Sequence, residues 1–143
     1  MRKITWQDIF SDASILNFQE LLKQWPKTVS GQLRPIGASA FGDLFFQRPN
    51  GNVERLDVLE GGTHFVAENH EEFGKLMNSP KWQEANLLTE GVVLLLDKNI
   101  TRGEGEFFGF TPHPAFTGKI DWAQAIPLDA LVWHGICAQA LEC

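Results

Sequence analysis

Positive charge is scarce in this chain: 12 lysines and arginines stand against 18 aspartates and glutamates, a formal charge of −6. A sequence pI near 5.1 argues against direct binding of nucleic acid or anionic lipid, both of which need clustered Lys and Arg. It suits a soluble protein, or one whose partner is basic. Long apolar runs are missing as well. The longest, Val92–Leu96, falls far short of the roughly 20 residues that span a bilayer. The opening Ile4-Thr5-Trp6-Gln7-Asp8 does not resemble the apolar core of a signal peptide, so a cytoplasmic location is expected. Cysteine is limited to Cys137 and Cys143. Six residues apart on one helix, they would stand roughly 9 Å apart along its axis, too far for an unstrained disulfide, so reduced thiols are expected.

The usual signatures of catalysis are lacking too. Ser39 in Gly37-Ala38-Ser39-Ala40 is not a nucleophile elbow, because the flanking glycines are not where that turn needs them. Gly61-Gly62 and Gly103-Glu104-Gly105 are followed by neither Gly-Lys-Ser/Thr nor a dinucleotide fingerprint, and read as turns. His134 and Cys137 share a helix face at i and i+3, but a metal needs three or four such ligands, and His64, His70 and His113 offer no recognisable spacing. Cys137 sits among core positions and reads as a packed thiol, not as a nucleophile. No metal, no cofactor and no enzymatic activity are expected.

What the chain has is apolar bulk. Its 143 residues are 43% hydrophobic, with 11 Phe and 5 Trp, enough to fill the core of a single domain over residues 1–143. Trp6, Ile9, Phe10 and then Ile15, Phe18, Leu21, Leu22 and Trp25 recur at helical spacing over 5–25, with Pro26 as the stop. Gly31–Pro35 reads as connection. The period then changes to two. Phe41–Phe46 is apolar on nearly both faces, as a central strand covered on both sides would be.

Pro49-Asn50-Gly51-Asn52 is the strongest local signal, since Asn-Gly tolerates the positive φ that a tight hairpin demands. Val53–Leu59 and Thr63–Ala67 then read as two further strands. Asn69 caps a helix with Glu72 three residues on, a capping-box arrangement. Ser79-Pro80 opens a long helix through Leu96, in which Gly91 is an odd interior residue. Glu106–Phe110 is a short strand, and Asp129–Leu141 a terminal helix. The expected class is α+β: a central antiparallel meander flanked by N-terminal and C-terminal helices.

Two features stand out from that frame. Asp43 lies among phenylalanines, where a carboxylate must find donors or bear a large desolvation cost. A buried Asp accepting backbone N–H groups is the favoured reading, and Gly42, Asp43, Asn50 and Gly51 are all read as structural. Between Glu54 and Glu72 lie six acids opposed only by Arg55. Glu60, Glu68, Glu71 and Glu72 are the candidate contacts on a shared exposed side for a basic partner; a solvated face is the alternative.

The run Phe41-Gly42-Asp43-Leu44-Phe45, the strand ending Leu56-Asp57-Val58, the Glu71-Glu72-Phe73 helix, Phe108-Gly109-Phe110 and Leu131-Val132-Trp133-His134 occur in the order seen in one bacterial family. Over about residues 33–142 the chain resembles the C-terminal domain of a type VI secretion immunity protein, a former domain of unknown function often found beside a GAD-like domain. The first 30 residues are too short to hold a full GAD-like domain. The resemblance implies a cytoplasmic antitoxin that binds and blocks a nuclease toxin by steric means, and it carries over no catalytic residues. The other class left open is a small-ligand or scaffold domain, for which a deep pocket lined by Asp43 and a histidine would speak.

Overall fold

The computed structural model describes residues 4–142, so Cys143 and its spacing from Cys137 lie outside the described residues. Five short strands form an antiparallel meander: β1 (Phe10–Asp12), β2 (Arg34–Ser39), β3 (Leu44–Gln47), β4 (Val53–Leu56) and β5 (Thr63–Ala67), adjacent in chain order. β3 is the middle strand, and Leu44, Phe45 and Phe46 are all buried, which accounts for its lack of apolar alternation. A second, two-stranded sheet pairs β6 (Glu106–Phe110) with β7 (Ala125–Asp129). The helices are α1 (Trp6–Ile9), α2 (Phe18–Leu22), α3 (His70–Met77), α4 (Pro80–Leu87), α5 (Thr89–Asp97), α6 (Pro114–Thr117) and α7 (Ala130–Leu141). The chain is a single α+β domain with an antiparallel sheet and helices on both sides of it in sequence.

The local signals act through identifiable bonds. The Asn69 side chain accepts the Glu72 N–H at 2.8 Å and starts α3, and Ser79 does the same for Trp82 at 3.3 Å ahead of Pro80. In the β3–β4 hairpin only Gly51 takes positive φ, +97°. Asn50 instead accepts the Asn52 N–H through its side chain at 3.0 Å, giving the three-residue loop ending in a left-handed glycine.

Four expectations are corrected. Residues 10–12, expected to be helical, form β1 and pair with β2. The connection expected at 31–35 runs into β2, whose Pro35, Gly37 and Ala38 carry little strand propensity. The strand expected over Phe41–Phe46 begins only at Leu44, because Ala40–Asp43 is a turn with Gly42 at φ +101°. The long helix from Ser79 is broken at Leu88, which adopts left-handed φ 54° and ψ 50°. Glu84 holds that break: its carboxylate accepts the Thr89 hydroxyl at 2.7 Å and the Glu90 N–H at 2.8 Å, serving the orphan donors at the start of α5.

The core is continuous but has two aromatic hubs. Phe45 packs against Phe10, Phe73 and Trp82 with ring centroids 5.7–6.2 Å apart, joining the five-stranded sheet to α3 and α4. Phe41, in the turn before β3, meets Phe108, Phe110 and Trp122 at 5.6–6.0 Å, joining that turn to the smaller sheet. Gly91 on α5 is explained by the second hub. A Cβ there would stand 2.2 Å from the Trp122 ring. Gly91→Ala gains about 1 kcal/mol of helix propensity but displaces a packed ring, an overpacking cost of about 1–3 kcal/mol. Net destabilisation is expected in a urea melt; a variant more stable than the parent would show that Trp122 yields freely.

Candidate functional site

The turn before β3 is held from three sides. Trp133 donates its indole N–H to the Phe41 carbonyl at 2.7 Å, and His134 Nε2 bonds the Gly42 carbonyl at 2.9 Å. Trp25 donates to His134 Nδ1 at 3.0 Å. Because an indole can only donate, Nδ1 is the acceptor and Nε2 carries the proton. Burial pushes the His134 pKa down to about 4, so this ring stays neutral. Ser39 Oγ accepts the N–H groups of Phe41 and Asp43 at 3.3 and 3.2 Å. Gly42 is required twice over, by its positive φ and because a Cβ would lie 3.0 Å from the Trp133 ring.

This clamp delivers Asp43 into a buried polar cluster. Asp43 is 7% exposed, and its Oδ1 accepts the Val58 N–H at 3.0 Å. The Val58 carbonyl in turn receives Nε2–H of His113 at 2.8 Å, the other ring nitrogen of which accepts the Ala115 N–H. Burial lowers the His113 pKa. Arg55, on β4, places Nε 3.8 Å from Asp43 Oδ2 and Nη2 3.5 Å from Asp57 Oδ2. Its Nη1 donates to the Asn86 side-chain oxygen at 3.0 Å, while Nε is buried without a hydrogen bond. Asp57 Oδ1 accepts the Leu59 and Glu60 N–H groups at 3.0 and 2.9 Å, and His64 approaches its Oδ2 at 3.7 Å.

Burial is the largest influence on Asp43 and raises its pKa to about 7. Asp57 and, more weakly, Glu60 push the same way, against Arg55 and the Val58 N–H. The Cys137 thiol is pushed up, chiefly by burial and also by Asp43; it is a buried packed group. Among the described residues no three His, Cys, Asp or Glu are grouped as metal ligands.

The cluster opens onto a cleft of about 590 Å³. Its polar walls include Asp43, Arg55, Asp57, Glu60, Asn86 and Lys119; its apolar ones include Phe41, Leu59, Leu87 and Ile120. Pro114 and Ala115, on α6, close one side. No histidine is among the described lining residues, and His113 is buried. Sequence reasoning found Asp43 and Glu60 but missed Arg55, Asp57, Asn86 and Lys119, which come from three separate segments.

The four candidate contact acids fall at the two ends of β5. Glu60 is exposed at the cleft, in the turn between β4 and β5. Glu68, Glu71 and the half-buried Glu72 lie past the far end of β5, at the start of α3. The five residues of β5 separate the two groups by roughly 16 Å at about 3.3 Å per residue. Gly42 sits in the turn just described, and Asn50 and Gly51 in the β3–β4 hairpin.

No family model matches the chain, and no curated protein does. The crystal structure of Atu4351 from Agrobacterium tumefaciens is similar in fold, with a TM-score of 0.57 and 18% sequence identity over 85% of this chain. The chain spans 62% of the length of that protein. Such a likeness supports the α+β fold alone. No helix among the described residues is long and apolar enough to cross a membrane.

The titration of this site is testable. Native Asp43 holds a proton between about pH 4 and 7 that the unfolded chain has lost, so its contribution to stability is full below pH 4 and is lost as pH rises through 7. Native His134 lacks, between about pH 4 and 6.5, a proton that the unfolded chain carries, so its contribution falls as pH drops. The two slopes oppose each other. Asp43→Asn removes the first and leaves the second, so stability of the variant is expected to rise between pH 4.5 and 6 more steeply than that of the parent, by about 1.4 kcal/mol per pH unit. Parallel curves for the two proteins in chemical denaturation would refute the assignment.

Proposed function

We propose that this chain is a non-catalytic binding protein that captures a basic protein partner, with the acidic cleft at the centre of its contact surface. The observation that carries this reading is the convergence of Asp43, Asp57 and Glu60 on one cleft. Beside it, on the short helix that forms a wall, Phe116 is 71% exposed. An aromatic anchor next to a polar, partly desolvated socket is the composition in which interface binding energy concentrates. The sequence resemblance supplies the particular case: a cytoplasmic type VI secretion immunity protein that neutralises a nuclease toxin. A toxin that handles nucleic acid must present clustered Lys and Arg, which is the complement of this surface.

A small-ligand domain is the second reading. It is favoured by the cleft volume, which falls within the range of about 300–1,000 Å³ usual for small-molecule sites. A basic toxin encoded next to this chain would favour the first reading.

Charge steering acts mainly on association rate and is screened over a Debye length of about 8 Å at physiological salt. Affinity capture from the native host is expected to return a basic protein whose association with the purified chain slows as salt is raised. Glu60→Lys, at an exposed position, is expected to slow association by about tenfold with little change in melting temperature. Glu71→Lys, at the far end of β5, is expected to have a smaller effect. An acidic partner, or a rate indifferent both to salt and to Glu60→Lys, would defeat the proposal.

A further inference from the structure

Resting on that reading, we infer that the cleft is a socket for one arginine or lysine side chain of the partner, whose terminal cation seats on Asp43 Oδ2. Four observations lead there. First, Asp43 is presented as a fixed ligand with one oxygen to spare. Its side chain is nine-tenths buried, Oδ1 is engaged by the Val58 N–H, and Oδ2 accepts no hydrogen bond, its nearest cation being Arg55 Nε at 3.8 Å, beyond hydrogen-bond length.

Second, the charge that ought to neutralise Asp43 is committed elsewhere. Arg55 directs Nη1 to Asn86 and Nη2 toward Asp57, leaving only its misaligned Nε near Asp43. Three carboxylates, Asp43, Asp57 and Glu60, face two cations, Arg55 and Lys119, in the same cleft. A monocation completes the balance once Asp43 gives up its proton; an anion would meet the carboxylates in a confined space. Third, a metal ion is a poor occupant, since no three His, Cys, Asp or Glu are grouped for it among the described residues. Fourth, the cleft combines this deep carboxylate with apolar walls at Phe41, Leu59 and Leu87. A Lys or Arg side chain has the matching anatomy, an alkyl stem that takes apolar contact and a charged head that does not.

Occupancy has a proton signature. Among the groups facing Asp43, Asp57 and Glu60 oppose its ionisation, while Arg55 and the Val58 N–H favour it. Cys137 of α7 stays a thiol, Lys119 lies across the cleft, and neutral His134 holds the neighbouring carbonyl. With its pKa raised to about 7, Asp43 is about half protonated at pH 7, so a cation seated on it expels up to about half a proton.

The test uses Nα-acetyl-arginine amide and Nα-acetyl-lysine amide as probes on the intact chain, with the neutral citrulline analogue as control. The expected result is weak binding of one or both cationic probes, with amide shifts confined to residues around Asp43, Val58, Glu60 and Asn86. Titration calorimetry in buffers of different ionisation heat is expected to show proton release at pH 7, gone by pH 9. Asp43→Asn is expected to weaken binding by about tenfold or more and to abolish the release. Should that variant not fold, Ala85→Phe, at an exposed position on the cleft wall, is expected to block the probes while sparing the core. Equal binding of the citrulline analogue, shifts elsewhere, or unchanged binding in Ala85→Phe would overturn the inference. The two readings fail separately. Probe binding without any basic partner would remove the partner proposal and keep the socket. A basic partner that binds both variants at full strength would keep the partner and remove the socket.

Discussion

The pair of hydrogen bonds from Trp133 and His134 to the carbonyls of Phe41 and Gly42 is the constraint on which the other features depend. A turn buried between two sheets leaves its carbonyls without water, and an unmet carbonyl in such a place costs about 1–3 kcal/mol. Consecutive residues of α7 meet two of them, and the indole of Trp25 fixes the tautomer that lets His134 do so. Those bonds tie the N-terminal segment, the meander and the terminal helix to one point. They also force Gly42, whose missing Cβ leaves room for the Trp133 ring. The orientation of Asp43, the next residue, follows from this packing, and with it the direction in which the cleft presents its deepest carboxylate.

Around that point desolvation outweighs pairing. Arg55 is within ion-pair distance of both Asp43 and Asp57, yet the Asp43 pKa is raised, not lowered. One guanidinium divided between two buried carboxylates and an amide stabilises the Asp43 charge less well than water would, and Asp57 opposes its ionisation. The orphaned Nε of Arg55 is the same deficit seen from the cation. One donor is left unmet and one acid is held near neutrality, so the cluster is not optimised for stability alone. Perturbed groups of this kind mark functional sites and structural ion-pair networks alike.

The sequence spoke clearly where the physics was local. Asn69 caps the helix it was expected to cap, and Ser79-Pro80 opens a helix where one was expected to begin, because a side chain three residues from a free N–H needs nothing else. Gly51 turns the β3–β4 hairpin, and the uninterrupted apolar character of Leu44–Phe46 marks the middle strand. It was silent where a distant element decides. Phe10–Asp12 has helical spacing but pairs with β2, and tertiary pairing overrides a three-residue preference. The break at Leu88 rests on the Glu84 side chain accepting two donors, which no periodicity encodes. Gly91 was visible as an anomaly, while its cause, Trp122, lies about thirty residues away in sequence and enters only through the Phe41 hub. The candidate site behaved likewise: Asp43 was conspicuous by its apolar neighbours, but Arg55, Asn86 and Lys119 look like ordinary surface residues until the fold brings them to one cleft.

The acidic segment shows how sequence proximity can mislead. Glu60 and Glu68 are eight positions apart, a spacing that a loop or helix would compress to one patch. Here the intervening residues are an extended strand, the conformation that separates its ends most. Glu60 therefore joins Asp57, from the same turn, and Asp43, from the turn before β3, and parts from Glu68, Glu71 and Glu72, whose place at the start of α3 is favourable for the helix dipole on its own account. Charge density along the chain is thus explained twice, by a helix start at one end of β5 and by a cleft at the other. Of the two, the cleft is the one that holds a carboxylate which neither a backbone N–H nor a cation fully satisfies. For that reason the perturbed acid is Asp43 and not a member of the most charged stretch of sequence.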